Sequence, residues 1–142
     1  MQVREYLLTE YISASTKDPY QLSHALIHAA QKFGHVIEKE NSLESSGPRT
    51  SSKVQFSIKK QMDKFSVLFI DIYAEGDSLS ESLNVTFSAT ITSDIPEARG
   101  LVSGLFHQQY RDRIYGNVKK NAGVIAKKAF LEFQEIVKGT MP

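Results

Sequence analysis

Residues 83–92 alternate without interruption. Leu83, Val85, Phe87, Ala89 and Ile91 are apolar, and Asn84, Thr86, Ser88, Thr90 and Thr92 between them are polar. A period of two places the apolar set on one face of a strand, so this strand needs a covering layer on one side only. The chain supplies a candidate cover at once. A helix-start signal appears at Asp94, with Pro96 and Glu97 behind it, and apolar residues then recur at steps of three and four from Ile95 to Val137. A half-buried strand that delivers directly into a long helix predicts a core closed between a sheet and the C-terminal helix.

The residues before this unit supply the rest of the sheet. Val3–Ala14 fits a strand through Tyr6, Leu8, Ile12 and Ala14, or a helix through Val3, Tyr6, Leu7, Tyr11 and Ala14; its Tyr, Ile, Val and Thr content favours the strand. Asp18–Phe33 reads as a helix. Asp18 is placed to cap it, Pro19 suits the first turn, and Gly34 is expected to end it in a left-handed conformation. His35–Leu43 is a strand, Glu44–Ser52 a loop, and Lys53–Met62 a strand with Val54, Phe56, Ile58 and Met62 on one side. Asp63-Lys64 is a turn. Phe65–Ala74 then carries apolar residues on both faces: Phe65, Val67, Phe69 and Tyr73 on one, Leu68, Ile70, Ile72 and Ala74 on the other. Glu75–Ser82 is a polar loop before the alternating strand.

The expectation is therefore an α+β chain, a single globular domain over residues 1–142, with element order β-α-β-β-β-β-α. About five strands joined by short connections imply a curved antiparallel sheet packed against a long C-terminal helix. Leu101, Leu105, Ile125, Ala129 and Phe133 are its expected contacts. One straight helix over the whole periodic stretch would be ~65 Å long. That exceeds the ~30–35 Å expected across such a domain, so a bend is expected at Gly116-Asn117. This element order resembles the helix-grip, START-like class of lipid and polyketide binders in a shortened form, with one helix and four strands after the first strand. The resemblance rests on order alone. It implies a ligand held between sheet and C-terminal helix.

Composition removes several classes of function. The chain has no Cys, which excludes disulfides, thiolate metal sites and Cys nucleophiles. No apolar run approaches the ~20 residues of a membrane span, and Met1–Glu5 does not open a signal peptide, so a cytoplasmic location is expected. No phosphate-binding Gly loop, Ser elbow or paired acid–base spacing is present, so no catalytic residue and no cofactor are assigned. His24 and His28 stand four apart, a spacing that can share a metal. They lie ~160° from the Leu22–Leu26 stripe by helical geometry, which points both to solvent; no metal is expected.

Charge is unevenly placed. Residues 1–94 hold 9 Lys/Arg against 12 Asp/Glu, and residues 95–142 hold 8 against 4. Arg111, Arg113, Lys119, Lys120, Lys127 and Lys128 are spaced as a solvated helix face is spaced, and clustering of one sign is the whole case for a nucleic-acid partner.

Three functions follow, in descending order. The first is a non-catalytic binding protein for an apolar or amphipathic small molecule between sheet and helix. Its candidate ligand-binding residues are Phe56, Phe69, Asp71, Tyr73, Phe87, Gly104, Phe106, Tyr110 and Arg111, with Phe130 as a further wall. Asp71 would be a polar anchor if its face is inside; otherwise it lies near the strand's end, on the solvent face or paired with a Lys. The second is a protein- or nucleic-acid-interaction module acting through the basic helix. The third is an acid–base enzyme using Asp71 or a His. One long helix cannot cover both apolar faces of Phe65–Ala74; the helix Asp18–Phe33 or a second copy of the chain would cover the other, and a homodimer is the expectation.

Overall fold

A computed structural model of the chain describes residues 2–94 and 115–139. The elements are β1 (Gln2–Ser15), α1 (Pro19–Ala30), β2 (His35–Ser46), β3 (Arg49–Gln61), β4 (Ser66–Asp77), β5 (Ser82–Asp94) and α2 (Gly116–Lys138). The five strands form one sheet in the order β1-β5-β4-β3-β2. Every neighbouring pair is antiparallel. An α+β chain with a five-stranded antiparallel sheet and a C-terminal helix is what the alternation pattern implies.

Both edge strands carry a register shift, at Tyr6/Leu8 in β1 and at Glu38/Glu40 in β2. Such irregularities interrupt the row of free backbone groups that would otherwise invite another strand.

Asp18 caps α1 as its sequence implies: its Oδ1 accepts the Gln21 N–H at 3.0 Å. Gly34 does something other than end the helix. Its φ is not positive. A Cβ there would stand 2.7 Å from the Lys59 carbonyl oxygen, so the residue is small because β2 enters the sheet hard against β3. The loop expected over 44–52 is almost entirely strand. β2 and β3 pair down to Ser46 and Arg49, leaving Gly47 and Pro48 as a two-residue turn with Gly47 at φ 60°. Glycine first in a two-residue hairpin is the turn that matches strand twist. The Ser-rich run misleads because Ser reads as loop locally, while ladder pairing with β3 decides otherwise. The loop expected over 75–82 shrinks likewise, to residues 78–81.

One face of the sheet is the core. Val54, Phe56 and Ile58 of β3, Leu68, Ile70, Ile72 and Ala74 of β4, and Leu83, Val85, Phe87, Ala89 and Ile91 of β5 are all buried there. α1 packs beside β2, β3 and β4, and α2 lies over β1, β5 and β4, with the helices touching each other. Ala122, Ala126 and Ala129 are buried on α2, and such small side chains let the helix approach the sheet closely. Phe133, fully buried, sets its ring 5.9 Å from Phe87 and 6.1 Å from Phe33. Of the expected helix contacts, Ala129 and Phe133 are buried and Ile125 is half-buried against the core. Leu101 and Leu105 lie outside the described residues, as does the helix-start signal behind Asp94; the expected bend falls at their border. The face holding Leu68, Ile70 and Ile72 is thus the covered one. Among the described residues the opposite face carries no helix.

Candidate functional site

Among the described residues, aromatic rings pack closely on the helix-covered face. Phe56 and Phe87 are fully buried. The Phe87 ring stands 5.6 Å from Phe130 as well as against Phe133. These rings meet between β5 and the described part of α2.

Phe69, Asp71 and Tyr73 lie on the other face. β4 buries Ser66, Leu68, Ile70, Ile72 and Ala74, so its odd-numbered residues point away from the helices. The expectation that Phe69 shares a face with Phe56 and Phe87 is corrected by register. Phe56 and Phe87 both stand opposite Ile72, whereas Phe69 stands opposite Lys59 and Thr90. Pairing partners share a face, and successive residues do not.

An open depression of about 420 Å³ lies on this second face, lined by Gln2, Arg4, Lys39, Phe69, Asp71, Thr90 and Thr92. Each element contributes through its pleat. β5 presents Thr90 and Thr92, the polar half of the alternation, as a low floor. β4 raises Phe69 and Asp71 beside them. Arg4 comes from β1, in register with Thr92. Lys39 comes from the irregular stretch of β2. Edge strands of a flat five-stranded sheet would be roughly 19 Å apart, so long side chains from both edges must reach inward to border one depression.

The electrostatics are specific. Lys39 Nζ stands 3.7 Å from Asp71 Oδ1. The Ser57 hydroxyl donates to that same carboxylate. Asp71 is therefore the Lys-paired residue of the open face, not a carboxyl sealed in the core. The Arg4 guanidinium lies 5.7 Å from the Tyr6 ring centre. Among the described residues no ion pair joins Arg4 to a carboxylate, including Asp94 one row further out. Tyr73 sits one row beyond Asp71, and burial, with the Glu75 and Glu40 carboxylates behind it, pushes its phenol above the ordinary value.

Four of the expected ligand-binding residues, Gly104, Phe106, Tyr110 and Arg111, lie outside the described residues. Of the other five, the structure brings Phe69 and Asp71 to one depression, sets Tyr73 beside it, and places Phe56 and Phe87 in the core. Arg4, Lys39, Thr90 and Thr92 were not foreseen. Their one sequence signal is the polar half of the β5 alternation, which holds Thr90 and Thr92.

His24 and His28 are exposed on α1, with the His24 ring 4.5 Å from Tyr20. No group of three His, Asp or Glu among the described residues could hold a metal ion, and no helix there is long and apolar enough to cross a membrane. On the basic helix, Lys119 pairs with Glu5 of β1 and Lys127 lies 5.6 Å from the Phe130 ring centre; Lys120 and Lys128 are exposed.

No family model and no curated protein matches the chain. Among solved structures, an uncharacterised protein from Rhizobium leguminosarum is similar at 8% identity, covering 95% of this chain and 98% of its own, with a TM-score of 0.35. Ara h 8.0201 is similar at 10% identity over 81% of this chain and 97% of its own, with a TM-score of 0.25. Overlap of this degree carries no functional argument.

Proposed function

We propose that this chain is a non-catalytic binding protein for an amphipathic small molecule, and that the ligand lies in the depression of Arg4, Lys39, Phe69, Asp71, Thr90 and Thr92. The observation that carries this is the lining. One volume within the range of small-molecule sites holds an aromatic side chain, two Thr and three charged groups drawn from four strands. Phe69 offers apolar contact and the charged groups orient. In this reading the helix-grip likeness extends to architecture, while the ligand moves to the opposite face from the one that likeness implies. Acid–base chemistry finds no support here, because the one carboxylate in the depression is engaged by Lys39 and Ser57.

A second reading rests on a separate observation. Tyr6 and Tyr11 are 69% and 76% exposed on the same open face. A second copy of the chain could cover them, and a homodimer through this face is the alternative to a ligand.

The test is a ¹⁵N-resolved NMR titration with a set of small aromatic acids, alcohols and amides. Ligands should shift the amides of Lys39, Phe69, Asp71, Thr90 and Thr92 together, and Phe69→Ala should weaken binding about tenfold, ~1.4 kcal/mol. Shifts confined to Phe87, Phe130 and Phe133 would return the site to the sheet–helix layer. No shift anywhere, together with dimer-mass particles in light scattering, would give the face to a second copy.

A further inference from the structure

We propose that this depression selects small molecules carrying one negative charge, with Arg4 receiving the anionic group. The inference rests on the binding reading above and adds the ligand's class.

The charge count decides the sign. Three ionic side chains line the depression: Arg4, Lys39 and Asp71. Lys39 and Asp71 face each other at 3.7 Å and largely cancel. The Ser57 hydroxyl also donates to Asp71. A cationic ligand would have to compete with both for that carboxylate. Arg4 is left as the cation without a carboxylate partner among the described residues. Its contact is with the Tyr6 ring. A guanidinium keeps its N–H donors in one plane, the fork that receives a carboxylate in two parallel hydrogen bonds.

The surroundings fit one anion and a flat body. Gln2 and Thr92 border Arg4 with neutral hydrogen-bonding groups. Phe69 and Thr90 continue the depression toward Asp71, in register with each other. Thr90 is small enough to leave the aromatic edge of Phe69 accessible to an apolar body. A second anion at the far end would meet Asp71 before it could reach Lys39 alone, so a dianion gains little over a monoanion.

The experiment uses 2-naphthoate and its neutral isostere 2-naphthamide, titrated separately into the ¹⁵N-labelled full chain at pH 7. The acid should bind at least about tenfold more tightly than the amide, with the largest shifts at Arg4, Thr90 and Thr92. Arg4→Gln should bring the acid down to the affinity of the amide, an acid-to-amide ratio near one in that variant, and Arg4→Lys should restore part of the preference. Arg4 is an exposed residue of an edge strand, and retained spectral dispersion verifies that each variant folds. If acid and amide bind equally at the depression, or if Arg4→Gln keeps the preference, the anion assignment is wrong and the binding reading survives. If neither probe shifts residues of the depression, both fall.

Discussion

Phe87 lies in an alternating strand and Phe69 in the strand that is apolar on both sides, and the structure assigns them to opposite faces of the sheet. Phe87→Ala and Phe69→Ala therefore test the assignment directly. Phe87 is fully buried, with rings at 5.6 Å and 5.9 Å from its own. Its truncation loses the transfer energy of the ring, opens a cavity and breaks two aromatic contacts. Phe-to-Ala changes in such cores cost about 3–5 kcal/mol, and the aromatic contacts favour the upper part of that range. Phe69 is partly exposed and borders an open depression. Water can fill the space its ring leaves, so about 1 kcal/mol is expected. Urea unfolding followed by circular dichroism measures both: Phe87→Ala should lower the midpoint by several times the shift seen for Phe69→Ala, with similar slopes. Equal losses, or a loss below about 1 kcal/mol for Phe87→Ala, would refute the argument; the latter would mean that the sheet–helix layer contains space and is a cavity wall after all.

Three further outcomes follow from single contacts. Lys119 hydrogen-bonds to Glu5 and, against the opposing effect of burial, holds its carboxyl below the ordinary 4.5, helped by Tyr115. A lowered folded-state value means stability that is present above the ordinary carboxylate range and lost as pH falls through the folded value. Lys119→Met should therefore be less stable than the parent at pH 7, by no more than about 1 kcal/mol for so exposed a pair, and the two denaturation midpoints should converge in acid; a constant gap down to pH 2 would count against the pair. Gly34→Ala forces a methyl against the Lys59 carbonyl. It should cost about 1–3 kcal/mol, and a neutral result by thermal melting would show that β2 can move away from β3. Light scattering should give the monomer mass of 15.9 kDa if a ligand occupies the open face; a doubled mass that Tyr11→Lys abolishes would instead support the homodimer.

The candidate site was legible only in fragments. Phe69 and Asp71 stand out in the sequence because they lie in the one strand that is apolar on both sides. Arg4, Lys39, Asp71 and Thr90 are separated by dozens of residues and meet only through the strand order β1-β5-β4-β3-β2. No local pattern encodes which strands become the two edges, and therefore which long side chains reach over the middle.

The alternation of β5 and the cap at Asp18 were decided by the chain itself. Strand pleat and the orphan N–H groups of a first helical turn are local properties, and each residue type satisfies them on its own. Which face of β4 became the core was not decided there. A period of two divides Phe69 from Ile70 but does not say which of them meets a helix, and both sides of β4 are apolar enough to be buried. That choice belongs to tertiary structure. β5 has only one apolar face, its pairing with β4 puts Ile70 and Ile72 on that face, and the two helices can gain most by covering the side where all the neighbouring strands are apolar at once.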